Sequence, residues 1–225
     1  MKKKIVFIMN PISGTSSKAA VPSLIDSTLD KEQFEYEIKM TERPGHASEL
    51  AAEARDNHAD IVVAVGGDGT VNEVARSLVH SDSALGILPC GSGNGLARHL
   101  LLPMNLKKSI EIINACEIHD LDYGVINEYP FFCTCGMGFD AFVSMKFAES
   151  GKRGPISYAE NILREGLKYE PETYTLEDET GTKQYKAFLI SCANASQYGN
   201  NAYIAQQASM SDGLMDVVIM EPFDV

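Results

Sequence analysis

The sequence predicts an α/β protein in two parts. A three-layer domain on a parallel sheet occupies residues 1–120, and a mostly antiparallel, β-sandwich-like domain, incomplete at its C-terminus, occupies residues 121–225. Three observations predict it. Short runs such as Ile5 to Met9 and Ile61 to Val65 are apolar at every position, the pattern of strands covered on both faces. Helical segments alternate with such runs through the first half, as in parallel sheets with crossover helices. After about residue 120 the alternation gives way to a succession of strands.

In order, the first half reads as strand Ile5 to Met9, helix Ala20 to Leu29, strand Phe34 to Met40, helix Ala47 to Asn57, strand Ile61 to Val65, helix Thr70 to Val79, strand Leu85 to Leu88 and helix Leu106 to Asn114. In the second half, Leu121 to Ile126 and Phe131 to Met137 flank a hairpin turn at Asn127-Glu128. Thr173 to Leu176, Gln184 to Ala193 and Met215 to Met220 are further strands, with one helix at Ile156 to Lys168. Two domains place a cleft between them, a common site for small molecules.

Composition narrows the function classes. The net charge of -12 repels phosphate backbones, which argues against nucleic acid and against broad adhesion to anionic membranes, a local basic patch excepted. Lys2 to Lys4 precede an apolar run that meets Asn10-Pro11 too soon for a signal peptide, and no run is long enough to span a bilayer. The five cysteines show no Cys-x-x-Cys spacing and read as reduced cytoplasmic thiols. Cys133 and Cys135, two apart, would share one strand face and pack in the core rather than bind metal.

Three loops follow strands of the first half: Asn10-Pro11-Ile12-Ser13-Gly14, Gly66-Gly67-Asp68-Gly69-Thr70-Val71-Asn72-Glu73, and Pro89-Cys90-Gly91-Ser92-Gly93-Asn94-Gly95. In a parallel sheet all three fall at one end, where ligands bind. Glycine lets backbone approach a phosphate, and helix N-termini favour anions. Thr70 would cap the third helix, with Glu73 completing a capping box. No Gly-Lys-Ser/Thr follows any loop, so none is a Walker loop, and none matches Gly-x-Gly-x-x-Gly. Asp68 is unexpected beside phosphates. Three roles are open to it: holding magnesium, contacting an acceptor hydroxyl, or bonding backbone amides within the turn.

These motifs resemble the diacylglycerol kinase catalytic domain family, which includes bacterial lipid kinases and sphingoid-base kinases. The resemblance runs from Ile5 to about Ile219. Gly91-Ser92-Gly93-Asn94-Gly95-Leu96-Ala97 is closer to the sphingoid-base kinases than to the bacterial diacylglycerol kinases. The resemblance implies Mg-ATP as donor, with nucleotide contacts at Asn10, Ser13, Gly14, Thr41, Gly66, Gly67, Asp68, Gly69, Thr70, Asn72, Glu73, Gly91, Ser92 and Asn94. Asp68 becomes the one strong acid–base candidate. Ser209-Met210-Ser211-Asp212-Gly213-Leu214 resembles a turn that in some members holds a structural magnesium. This implies the Asp212 carboxylate and the carbonyls of Ser209 and Leu214 as ligands; a simple β-turn with Gly213 at positive φ fits equally. Asp140 matches a position that reads a lipid head group, or it serves as a helix N-cap. Lys152-Arg153-Gly154-Pro155 is a basic patch facing a membrane or a solvated loop. His99 lies nearest a glycine loop without an evident partner.

The family's general base is usually a Glu in Asp-Gly-Glu, beyond the Asp-Gly-Leu turn. No Asp-Gly-Glu occurs here, which predicts a C-terminally truncated chain that binds ATP and turns over poorly. The implied partners are a lipid alcohol such as diacylglycerol or a sphingoid base and a transient membrane-surface contact, with no nucleic acid. The protein would be cytoplasmic and peripheral at the membrane, and a homodimer is left open. NAD kinases and phosphofructokinases also carry Gly-Gly-Asp-Gly. They and a non-catalytic nucleotide- or lipid-binding module are the alternatives.

Overall fold

The computed structural model describes residues 2–14, 18–150 and 169–222. Its first half runs β1 (Lys3–Met9), α1 (Val21–Thr28), β2 (Phe34–Met40), α2 (His46–Asp56), β3 (Ile61–Gly66), α3 (Asp68–Leu78), β4 (Ala84–Pro89), α4 (Gly95–His99) and α5 (Leu106–Ala115). The four strands form one sheet in the order β2-β1-β3-β4, and every pairing is parallel. Successive side chains of a strand point to opposite faces. Val6, Ile8, Val62 and Ala64 thus face α2 and α3, whereas Ile5, Phe7, Met9, Val63 and Val65 face α1 and α5. Two helical layers around one sheet explain why Ile5 to Met9 of β1 and Ile61 to Val65 of β3 carry no polar side chain. Each large aliphatic side chain buried this way contributes roughly 1.5–3 kcal/mol.

The second half runs β5 (Gly124–Ile126), β6 (Tyr129–Phe131), β7 (Thr134–Gly138), α6 (Phe139–Ser150), β8 (Glu172–Asp178), β9 (Gly181–Ala187), β10 (Leu189–Ala193), β11 (Gln197–Gly199), β12 (Ala202–Tyr203) and β13 (Asp216–Met220). β13, β10 and β7 form an antiparallel sheet, and β5–β6, β8–β9 and β11–β12 are antiparallel pairs. Asn127 takes a left-handed φ of 54° in the expected hairpin turn. Ala195 and Met210 pack into the same core as α2 and α3, so the two halves share apolar contact.

Several expectations are corrected. The run Phe131 to Met137 breaks between β6 and β7, and Cys133 lies in the break, where its thiol donates to the Gln197 carbonyl at 3.0 Å. Cys133 therefore does not share a strand face with Cys135, which sits opposite Cys192 in the β7–β10 ladder. The run Gln184 to Ala193 splits at Phe188, whose amide turns to Met220 at 2.7 Å. Helices α4 and α6 were not expected, because neither carries an extended amphipathic period. The helix expected at 156–168 and the basic stretch at 152–155 lie outside the described residues.

Helix α3 starts at Asp68, two residues earlier than expected, and its N-cap is Gly67, without a side-chain cap. The capping box of Thr70 and Glu73 is therefore not formed. Thr70 lies inside the helix, and its hydroxyl accepts from Asn10 Nδ2 at 3.4 Å. Glu73 instead accepts from the amides of Gly45 (3.1 Å) and Ala47 (3.2 Å), at the start of α2. Gly45, the N-cap of α2, has φ 80° and offers no side chain, so Glu73 supplies the missing cap from a neighbouring helix. Glu73→Ala should lower stability by about 1–2 kcal/mol, read as a lower urea midpoint at unchanged m. An unchanged midpoint would show the two bonds to be worthless.

Candidate functional site

The order β2-β1-β3-β4 reverses direction between β1 and β3, and such a reversal opens a crevice at the carboxyl ends of the strands. Each strand hands its neighbour one more bond at that end. Thr41 N donates to Met9 O at 2.9 Å, Asn10 N to Val65 O at 3.1 Å, and Cys90 N to Gly66 O at 2.7 Å. Thr41, Asn10 and the two glycine loops are thereby brought to one edge.

The loops interlock through their missing side chains. A Cβ on Gly91 would stand 2.4 Å from Gly67 Cα, and one on Gly14, at φ 68°, would stand 2.1 Å from the Cys90 carbonyl oxygen. Within the third loop Asn94 is left-handed (φ 52°) and closes a ring, its Oδ1 accepting from Gly91 N at 2.8 Å and its Nδ2 donating to Gly91 O at 2.9 Å. Asn94 is thus a structural latch, and Ser92 is exposed between the latched residues. Gly69 faces open space at the first turn of α3.

Asp68 links the second loop to the third. Its Oδ1 accepts from Gly95 N at 2.7 Å and its Oδ2 from Asn94 N at 2.8 Å. The backbone-bonding role is therefore the one the structure displays, though the amides lie across the crevice rather than within Asp68's own turn. A third partner comes from the second half: Asn200 N donates to Gly93 O at 3.0 Å, and a Cβ on Gly95 would stand 2.9 Å from Tyr198 O.

Two cations border these loops. Lys18 is only 6% exposed and its ammonium donates to the Ser13 carbonyl. Arg98 Nε donates to Gly93 O at 3.1 Å. Neither was singled out from sequence. The signal lay in isolated basic residues just beyond two glycine loops of a chain with net charge -12.

His99 does have a partner. Its Nδ1 accepts from the Ser196 amide at 3.1 Å and lies 3.0 Å from Ser196 Oγ, joining α4 to the second half. Burial pushes its pKa below the usual imidazole value. The folded state then binds fewer protons than the unfolded chain below about pH 6.5. Its contribution to stability is present above that pH and is lost as pH falls through the lowered value. His99→Gln should therefore show a smaller fall in Tm between pH 7.5 and 5.5 than the parent; an equal fall removes His99 from the effect.

Asp140 is not an N-cap, because α6 begins one residue before it. Its Oδ1 accepts from Ala141 N at 2.7 Å and its Oδ2 from the Tyr198 hydroxyl at 3.1 Å. Burial raises its pKa, against the lowering effect of those bonds. Through Tyr198 it connects to the third loop, which sequence alone did not suggest. Ser209, Asp212 and Leu214 lie apart from these loops in sequence, in a turn with Gly213 at φ 72°. Asp212 Oδ1 accepts from Leu214 N at 3.0 Å, and Asp122 Oδ2 accepts from Gly213 N at 2.8 Å. No group of three or more His, Cys, Asp or Glu side chains suited to a metal occurs among the described residues.

Residues 4–126 match the sequence model of the diacylglycerol kinase catalytic domain. The chain belongs to the diacylglycerol kinase catalytic domain family. Residues 133–224 match the YegS C-terminal NAD kinase beta sandwich-like domain. Among relatives of this kinase family, "Probable lipid kinase YegS" of Escherichia fergusonii is 29% identical over 198 residues, covering 85% of this chain and 66% of its own. "Diacylglycerol kinase" of Staphylococcus saprophyticus is 28% identical over 232 residues, covering 98% and 74%. A crystal structure of a diacylglycerol kinase from Bacillus anthracis superposes with a TM-score of 0.75 at 22% identity, over 97% of this chain and 74% of that one, which shows a shared fold. The chain thus spans about two thirds to three quarters of the length of these relatives. Alignments that take in 85% to 98% of it lend the expected truncation no support.

Proposed function

We propose that the protein is a lipid kinase that transfers the γ-phosphate of Mg-ATP to the hydroxyl of a lipid such as diacylglycerol or a sphingoid base. The observation that carries this reading is the interlocking of Gly14, Gly67 and Gly91 at the carboxyl edge of the sheet, beside the uncapped first turn of α3. The donor set suits a polyphosphate: backbone amides, the hydroxyls of Ser13, Thr41 and Ser92, the Asn10 amide, and the charges of Lys18 and Arg98. ATP would supply the phosphoryl group, and its magnesium would neutralise charge developing in transfer.

This chain's own residues bind and orient. The amides at Gly67 to Gly69 receive phosphate oxygens at the helix N-terminus. Asp68 orders the third loop against them, and its remaining lone pairs stay open to a proton. Asp140 and Tyr198 hold the acceptor's polar head at the second half. Asp212 with the Ser209 and Leu214 carbonyls, beside Asp122, offers oxygen ligands for a structural magnesium. Among the described residues no helix is long and apolar enough to cross a membrane, so the lipid would be met from the membrane surface.

The match to an NAD kinase beta sandwich-like domain favours testing soluble acceptors too. Radiolabelled ATP offered with diacylglycerol, sphingosine, NAD or fructose 6-phosphate decides. Label in a lipid supports the proposal, and label only in NAD or the sugar phosphate overturns it.

A further inference from the structure

Leu101 follows α4 in the left-handed conformation, at φ 57°. Its amide donates to Arg98 O at 3.1 Å, and the Leu102 amide donates to Ala97 O at 2.8 Å. These are the paired bonds that end a helix around a left-handed residue, a position where glycine is unstrained and a branched aliphatic side chain is not. Packing gives nothing in return, because the Leu101 side chain is 88% exposed. Helix termination thus explains the backbone and leaves the leucine unexplained.

The surroundings narrow its purpose. Met104, also exposed, lies with its sulfur 3.8 Å from Asn94 Nδ2, so this connection borders the third glycine loop. From Leu96 to Ile110 the chain carries Arg98, Lys107 and Lys108 and no Asp or Glu, although its net charge is -12. Both lysines are exposed. An exposed aliphatic residue in a stretch whose charges are all basic as far as Glu111 complements an anionic lipid surface, where basic residues meet head groups and apolar ones enter the interface.

We infer that the segment Leu101 to Lys108 docks the protein on anionic bilayers, with Leu101 entering the interface and Lys107 and Lys108 on the head groups. The inference rests on the lipid-kinase reading for its purpose but not for its test. One inserted leucine and a few cations give weak, reversible attachment, which suits an enzyme that must leave one lipid for the next.

Co-sedimentation with vesicles of phosphatidylcholine, alone or mixed with phosphatidylglycerol, tests it. The protein should pellet with the mixed vesicles and not with the neutral ones, and added salt should weaken the binding. Leu101→Gly should bind the mixed vesicles about tenfold more weakly. Its Tm should be unchanged or higher, a combination that mere misfolding cannot produce. Lys107→Gln with Lys108→Gln should lose the preference for anionic vesicles. Parent-like binding by Leu101→Gly, or a parent indifferent to lipid charge, overturns the inference. Each protein is also assayed with ATP and a water-soluble short-chain diacylglycerol, which Leu101→Gly should phosphorylate at the parent rate. Vesicle binding without phosphorylation of any lipid would defeat the kinase reading and leave docking intact. Phosphorylation with parent-like vesicle binding by Leu101→Gly would do the reverse.

Discussion

Replacing Gly91 by alanine should weaken ATP binding about tenfold to a hundredfold while the protein stays folded. The new methyl would lie 2.4 Å from Gly67 Cα and 2.7 Å from Asn94 Oδ1, so the second and third loops must separate. Overpacking of this kind costs roughly 1–3 kcal/mol, and each 1.4 kcal/mol is about tenfold in affinity. The strain falls on loops beyond the sheet, so Tm should fall much less than affinity. Titration calorimetry with Mg-ATP measures the loss. Unaltered affinity would show that the contact between the loops has no part in binding the donor.

Asp68 carries the second large effect, and two variants divide its roles. Asp68→Ala removes the acceptors for Asn94 N and Gly95 N together. Charge-assisted bonds of this kind to a helix start are worth roughly 0.5–2 kcal/mol, so about a tenfold loss in ATP affinity is expected, with a lower Tm. Asp68→Asn keeps one oxygen acceptor but turns its amino group, a donor, onto the other backbone N–H, and should recover only part of that loss. A proton acceptor would behave otherwise: the amide cannot take a proton, and turnover would fall roughly 10²–10⁴-fold in both variants. We expect the asparagine variant to lie between the parent and the alanine variant in affinity and Tm. Equal damage to turnover alone would return Asp68 to acid–base catalysis.

The elements legible in the sequence were those whose burial leaves a complete pattern. Ile5 to Met9 and Ile61 to Val65 are covered on both faces, so every position there had to be apolar, and β2 matched its expected limits. The breaks at Cys133 and Phe188 were not legible, because both are side chains that fit a strand and only the partner strands end the ladder. The third loop was legible as a glycine cluster, but the latch made by Asn94 depends on a left-handed backbone that Asn permits without announcing. Glu73 misled for a related reason. Its spacing from Thr70 fits a local cap, yet the uncapped amides of α2 lay within reach and had no side chain of their own. His99 with Ser196, and Asp140 with Tyr198, join residues far apart in the chain, which spacing cannot encode.

That last kind of contact has a consequence for how the protein is made. Gly93 and Gly199 touch in the finished fold, yet roughly a hundred residues separate them. At about 5–20 residues per second, the ribosome completes the first sheet several seconds before β11 can reach the third loop. During that interval Gly93 and Gly95 lack the cover of Tyr198, so the proposed phosphate cradle exists only in part on the nascent chain. Nucleotide capture should therefore be a late event in biosynthesis, following the emergence of the second half rather than accompanying the birth of the loops themselves.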